Sequence, residues 1–123
     1  MQKILVVDDD PLDVRLIKER LLAHNYEVIE AFSGPEGIEM ARAHHPDLIV
    51  MDILMPKMDG TEAYSIIKND AATANIPVLF LTAILTKKEE QLGANIEESF
   101  FNVIAKPFEE KDFICRIQSI LGQ

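Results

Sequence analysis

The sequence predicts a three-layer α/β fold, in which a doubly wound, five-stranded parallel sheet is covered by helices on both faces. Five short apolar runs alternate with stretches of helical period along the 123 residues, and this alternation is typical of such folds. Right-handed crossovers then favour the strand order 2-1-3-4-5, the commonest at this length. No repeat or linker interrupts the pattern, so we expect a single domain over residues 1–123.

The predicted strands are the short apolar runs at residues 3–7, 27–31, 48–51, 78–81 and 102–105. The first helix is predicted after Asp10, a capping residue, with Pro11 in its first turn and an end near His24. One face of that helix is apolar at the helical spacing. The residues on this face are Val14, Ile17 and Leu21.

Three further helices follow the second, third and fifth strands. The second begins at Ser33 or Gly34, and the third begins at Thr61. The last follows Pro107, and a short capped helix is also predicted over residues 86–92. The residues expected to face the core are Ile38 and Ala41 in the second helix, Ala63, Ile66 and Ile67 in the third, and Phe113, Ile117, Ile120 and Leu121 in the last.

Composition excludes several classes of function. The net charge of −9 repels nucleic-acid phosphates and anionic lipid, so direct binding to either is not expected. The first apolar run stops at three aspartates, far short of a signal peptide or a membrane span. Cys115 is the one cysteine, which rules out an internal disulfide and suits the reducing cytoplasm. We expect Cys115 to pack in the core.

Acidic residues follow two of the predicted strands. Asp8, Asp9 and Asp10 end the first strand, and Asp52 ends the third, so the fold brings carboxylates to the switch point of the sheet. Clustered carboxylates either take up protons or bind a cation. All-oxygen ligands favour Mg²⁺. The alternative is a solvated loop whose last member caps the first helix, a role we expect for Asp10 in either case.

A hydroxyl and an ammonium group end the other two strands on this edge. Thr82 follows the fourth strand and Lys106 follows the fifth. Each is an ordinary residue on its own, but together with Asp52 and a cation they provide what transfer of a phosphoryl group to a carboxylate needs. Asp52 would be the nucleophile, Lys106 and the metal would offset charge on the phosphoryl oxygens, and Thr82 would donate a hydrogen bond to one of them.

Six segments of the sequence form a set of motifs that spans the whole chain. They are Ile4-Leu-Val-Val-Asp-Asp-Asp-Pro11, Asp47-Leu-Ile-Val-Met-Asp52, Met55-Pro56, Met58-Asp59-Gly60, Leu81-Thr82-Ala83 and Lys106-Pro107-Phe108. These motifs resemble the receiver domain of two-component response regulators, the CheY-like fold. The resemblance implies that Asp8, Asp9, Asp52 and the backbone carbonyl of Leu54 hold Mg²⁺, and that a partner's phosphohistidine supplies the phosphoryl group. It also implies a cis bond before Pro107.

By this resemblance the protein is a signalling switch that catalyses only its own phosphorylation and dephosphorylation. Its expected partners are a histidine kinase or histidine phosphotransfer protein and a downstream protein effector, with phosphorylation-dependent dimerisation as a further mode. Val103 stands where the family normally has its switching aromatic residue, which implies an atypical signalling face. Leu54 and Ile84 offer no polar atom to orient an attacking water, so we expect slow self-dephosphorylation.

Two other functions are compatible with parts of the sequence. A haloacid-dehalogenase-like phosphatase also uses an Asp-x-Asp motif and Mg²⁺, but it leaves Asp52 without a role, and Leu12 departs from its motif. A receiver-like scaffold without phosphotransfer is the second alternative, and the complete set of site residues argues against it. The histidines His24, His44 and His45 are expected at helix ends, without a catalytic role.

Overall fold

The computed structural model describes residues 1–82, 103–106 and 108–122. Within these residues the strands form one parallel sheet in the order β2-β1-β3-β4-β5, which confirms the predicted topology. The strands are β1 Lys3–Val7, β2 Glu27–Ala31, β3 Leu48–Asp52, β4 Val78–Thr82 and β5 Val103–Ala105. The helices are α1 Pro11–Ala23, α2 Gly34–His44, α3 Gly60–Lys68 and α4 Glu110–Ile120.

The core lies on both faces of the sheet, as expected for strands covered by helices on each side. Every residue of β3 and of β4 is buried. Alternate side chains of β3 enter separate hydrophobic clusters: Ile49 and Met51 pack with α2 and α3, and Leu48 and Val50 pack with α1 and α4. This division explains why the central strands are continuous apolar runs instead of alternating polar and apolar residues.

Side-chain caps determine where the first three helices begin. Asp10 caps α1 by accepting a hydrogen bond from the Leu12 backbone N–H at 3.0 Å, as predicted. Ser33 caps α2 and Asp59 caps α3 in the same way. Because Asp59 satisfies the free N–H groups of the first turn, α3 begins at Gly60, one residue earlier than predicted.

Two predictions of burial are wrong. Ile66 has 38% of its surface exposed, because the short helix α3 buries only the face that carries Ala63 and Ile67. Cys115 is exposed, since it lies about 200° around α4 from the buried residue Phe113. It lines an open groove of about 570 Å³ formed by residues of β5, of α4 and of the segment just before α4.

Some predictions fall on parts of the chain outside the described residues. These are the helix over residues 86–92, the position of Ile84 and the cis bond before Pro107. The fifth strand is described from Val103, whose side chain is buried against the α2 and α3 side of the sheet. Within the described ranges, none of the helices has the length and apolar character needed to cross a membrane.

Candidate functional site

The strand register brings the predicted site residues to one edge of the sheet. Val7 of β1 lies opposite Met51 of β3, so the residues that follow them, Asp8 and Asp52, lie side by side. Asp52 is in turn opposite Leu81 of β4. Thr82 is opposite Ala105 of β5, and the backbone N–H of the next residue, Lys106, donates to the Thr82 carbonyl at 2.7 Å. The carboxyl ends of four strands therefore carry the polar groups of the site.

Asp8, Asp9 and Asp52 form a cluster in which one carboxylate oxygen from each lies within 4.8 Å of the others. Asp8 is buried and Asp52 is only 9% exposed, whereas Asp9 lies at the surface. The backbone N–H of Asp10 donates to Asp8 Oδ1 at 3.0 Å, which fixes the orientation of the Asp8 carboxylate. The cluster is thus buried on its inner side and open to solvent at Asp9.

The pKa of Asp52 is raised to about 6, and burial is the largest cause. The neighbouring carboxylates of Asp8 and Asp9 also raise this pKa, whereas the ammonium of Lys106 lowers it. The Leu54 backbone N–H lowers it through a weak hydrogen bond of 3.4 Å to Asp52 Oδ1. At neutral pH the positive charge near the Asp52 carboxylate is therefore too small to offset its burial and the repulsion from Asp8 and Asp9.

This charge deficit fits a divalent cation. The three carboxylates offer only oxygen atoms as ligands, and oxygen is the ligand type that Mg²⁺ prefers. The exposed carboxylate, that of Asp9, provides access from solvent. Three is also few enough for Mg²⁺ to keep waters and accept phosphate oxygens. The donor set of this edge is therefore suitable for Mg²⁺.

The side chain of Lys106 places a positive charge beside the carboxylate cluster. Its Nζ donates to Asp8 Oδ2 at 3.0 Å and to Asp13 Oδ2 at 3.1 Å, and lies 3.7 Å from Asp52 Oδ2. Burial alone would lower the pKa of Lys106, but the hydrogen bond to Asp8 and the charge of Asp52 outweigh it and raise that pKa. The lysine therefore stays charged.

The loop after β3 is held against the end of the strand. Gly60 N–H donates to the Ile53 carbonyl at 2.8 Å, and a β-carbon at Gly60 would collide with the carbonyl of Asp52, so this close approach requires glycine. Leu54, two residues after Asp52, has about half of its surface exposed. The contact with Gly60 thus keeps the backbone that follows Asp52 in place.

Sequence reasoning identified the residues of this edge but missed Asp13. The structure brings Asp8, Asp9, Asp52 and Lys106 together, and it places Thr82 next to Lys106 through the strand register. The sequence did contain a signal for Asp13. An acidic residue in the first turn of α1, the helix that follows β1, lies near the same edge of the sheet as Asp8. His24, His44 and His45 are at helix ends, as predicted.

Comparisons with known proteins agree with this fold and this edge. A family model described as the response regulator receiver domain matches residues 4–118. The chain is 37% identical over 122 residues to the polar-differentiation response regulator DivK of Brucella ovis, a match that covers 98% of this chain and 97% of that protein.

Solved structures give the same result. The Vibrio cholerae chemotaxis protein CheY4 superposes with a TM-score of 0.84 at 27% identity, covering 98% of each chain. The receiver domain of sensor histidine kinase PA1611 from Pseudomonas aeruginosa, solved with magnesium coordinated in its active-site cleft, has a TM-score of 0.83 at 27% identity over 99% of this chain and 98% of that one. This chain belongs to the response regulator receiver domain family of two-component signalling.

Proposed function

We propose that this receiver domain accepts a phosphoryl group onto Asp52 in a Mg²⁺-dependent reaction, from a phosphohistidine of a histidine kinase or histidine phosphotransfer protein. The observation that carries this proposal is the position of Asp52. Its carboxylate is nearly buried, lies in a cluster with Asp8 and Asp9, and has Lys106 Nζ at 3.7 Å. A carboxylate in such a place can act as a nucleophile, with the ammonium of Lys106 near enough to offset charge on the incoming group.

The proposed Mg²⁺ ligands are the carboxylates of Asp8, Asp9 and Asp52 and the backbone carbonyl of Leu54. The clustering of the three carboxylates and the raised pKa of Asp52 support this set. The magnesium in the similar receiver domain of PA1611 supports it as well. When bound, the cation offsets negative charge on the carboxylates and on the incoming phosphoryl oxygens.

In the proposed transfer, an oxygen of Asp52 attacks phosphorus and forms a new P–O bond while the P–N bond of phosphohistidine breaks. The leaving imidazole keeps the electron pair of the broken bond and takes up a proton. Lys106 offsets charge on the transferred group, and Thr82 donates its hydroxyl hydrogen to one of the phosphoryl oxygens. The acyl phosphate is later lost by hydrolysis at the same site.

The output of the proposed switch is a change in protein–protein contacts with a downstream effector. Phosphorylation-dependent dimerisation is one form that this change can take, and sedimentation of phosphorylated protein would measure it. We further propose that the chain works in the cytoplasm as one domain over residues 1–123. The negative net charge supports a protein partner over direct binding to nucleic acid.

Intact-mass spectrometry after incubation with Mg²⁺ and acetyl phosphate tests the proposal. We expect the protein to gain one phosphoryl group, and we expect Asp52→Asn to gain none. The matched control is Asp47→Asn, which makes the same change just before the other end of β3 and should be phosphorylated normally. Chelation of Mg²⁺ should abolish the mass gain in the wild type and in Asp47→Asn.

Two outcomes would contradict the proposal. An unmodified wild-type protein would indicate a receiver-like scaffold without phosphotransfer. Continuous release of phosphate from simple phosphate esters, unaffected by Asp52→Asn, would indicate a phosphatase that uses the Asp-x-Asp motif instead.

A further inference from the structure

The ammonium group of Lys106 is held on the α1 side of the site. It makes hydrogen bonds to Asp8 and Asp13 at 3.0 and 3.1 Å. Its distance of 3.7 Å from Asp52 Oδ2 is beyond hydrogen-bond range. A lysine ammonium has three N–H donors, so two are committed to carboxylates other than the proposed phosphoryl acceptor.

Asp13 differs from the other carboxylates around Lys106. It lies in the first turn of α1, its side chain is 37% exposed, and it does not belong to the cluster of Asp8, Asp9 and Asp52. The proposed transfer gives it no task. Its contact with Lys106 nevertheless joins residues 93 positions apart in the sequence. The contact therefore results from the fold and not from nearness along the chain.

We propose that Asp13 is a positioning residue that competes with the phosphorylated site for the ammonium of Lys106. It keeps the lysine withdrawn from Asp52 until a phosphoryl group is present. This inference rests on the proposed function, in which Lys106 binds a phosphoryl oxygen. Asp13 thereby lowers the affinity of the site for the phosphoryl group and favours the unphosphorylated state.

The competition follows from the charges involved. A cation bound at Asp8 offsets the negative charge that holds Lys106 there, which leaves Asp13 as the remaining anchor of the ammonium. A phosphoryl group on Asp52 carries more negative charge than one carboxylate, so it attracts the ammonium away from the partly exposed Asp13. Because Asp13 is partly exposed, its interaction with Lys106 is weak. We expect it to lower the affinity of the site for the phosphoryl group by about two- to fivefold.

The test uses beryllofluoride, an analogue of the phosphoryl group that needs no phosphodonor, at saturating Mg²⁺. We expect Asp13→Asn to bind it about two- to fivefold more tightly than the wild type. Asp13→Glu, which keeps the charge, should remain close to the wild type. The matched control is Glu19→Gln, which removes one negative charge from the same helix away from Lys106 and should have no effect. Titration calorimetry gives the affinities.

A double-mutant cycle separates competition for Lys106 from simple charge repulsion. If Asp13 acts through Lys106, the gain from Asp13→Asn disappears in a Lys106→Gln background. A gain that persists there means that Asp13 only repels the anionic ligand, and it overturns the inference. A gain in Glu19→Gln equal to that in Asp13→Asn overturns it in the same way.

The contact itself is measurable without metal or ligand. In Mg²⁺-free protein, the side-chain ¹⁵N resonance of Lys106 should shift more in Asp13→Asn than in Glu19→Gln; equal shifts would count against the inference. Wild-type protein that binds no beryllofluoride would overturn the proposed function together with this inference. Normal wild-type binding with an unchanged or weakened affinity in Asp13→Asn would overturn this inference alone.

Discussion

The interior and the carboxyl end of the same strand have opposite chemistry. In β3 the residues Leu48 to Met51 are apolar and no more than 1% exposed, and they pack into both hydrophobic clusters. The next residue, Asp52, is nearly as buried but carries a carboxylate whose pKa is raised to about 6 by burial. Two adjacent residues thus have opposite effects on stability: the packing of Met51 stabilises the fold, whereas the buried charge of Asp52 destabilises it.

This contrast explains how a small domain keeps a charged edge. Burial of apolar side chains contributes about 25 cal/mol per Å² of surface removed from water, whereas burial of a charge opposes folding unless a partner compensates it. The strand interiors therefore hold the site residues in position, and the edge remains short of positive charge. An edge with that deficit is suited to a cation, which under the proposed function would also offset the charge of an incoming phosphoryl group.

The largest expected effect tests the strand interior. Phe80→Ala in β4 should lower the free energy of unfolding by about 3–5 kcal/mol, because Phe80 is fully buried. The control Phe32→Ala removes the same side chain where it is 39% exposed, and should cost about 1 kcal/mol or less. Urea unfolding measures both, and equal losses would contradict the assignment of stability to the interior.

A smaller effect, of opposite sign, is expected at the edge. The pKa of Asp52 is raised above its ordinary value of 3.8 to about 6 in the folded state. The folded protein therefore binds a proton more tightly, and its stability falls as the pH rises from about 4 to about 6. In Mg²⁺-free buffer, Asp52→Asn should be more stable than wild type by about 1–3 kcal/mol near pH 8.

Urea unfolding across the pH range measures this difference, which should shrink towards pH 4, where the wild-type carboxyl is protonated. The control Asp47→Asn changes an aspartate just before the amino end of β3, where the carboxylate accepts a hydrogen bond from Lys3 N–H. It should show no such pH-dependent gain. A constant difference between wild type and Asp52→Asn would contradict the charge deficit.

A still smaller effect is expected at the helix cap that follows the site. Hydrogen bonds from Thr61 and from the Glu62 backbone N–H lower the pKa of Asp59. Its charged form therefore stabilises the fold above the ordinary pKa of 3.8, and this contribution is lost as the pH falls through the lowered value. Asp59→Ala should cost about 1 kcal/mol at neutral pH.

Asp59→Asn, which retains a capping oxygen, should cost less than Asp59→Ala by thermal or urea unfolding. The cost of Asp59→Ala should also diminish in acid. A loss that stays constant down to pH 2 would show that the carboxylate charge does not contribute.

The smallest effect concerns the lifetime of the proposed phosphoryl group. Leu54 is half exposed beside Asp52 and has no polar side-chain atom to orient water. Leu54→Asn supplies such an atom and should speed phosphoryl loss by less than about fourfold, which corresponds to about 0.8 kcal/mol. Decay of the phosphorylated mass measures the rate, with Leu54→Met as an apolar control. Equal or slower decay in Leu54→Asn would contradict the prediction.

Much of the fold was predictable because its signals are local. The apolar runs gave strand bounds that agree with β1 and β2 and are one residue short at β3 and β4, where the ends Asp52 and Thr82 are polar. Helix starts were predictable where a capping residue such as Asp10 was recognised. The exposure of Cys115 was also predictable, since it lies two positions along the helix from a residue expected to be buried, but this signal was missed. The exposure of Ile66 was not, because it depends on how much of the surface of α3 meets the sheet, and periodicity alone leaves that open.

The sequence by itself determined the order of elements and the residue types at each strand end, since both are written in adjacent positions of the chain. Only the tertiary structure decided how these groups act on one another. The raised pKa of Asp52 arises from burial by distant segments, and the contact between Asp13 and Lys106 spans 93 positions. Electrostatic and hydrogen-bond energies depend on distance in space and on surrounding solvent, and the folded chain sets both.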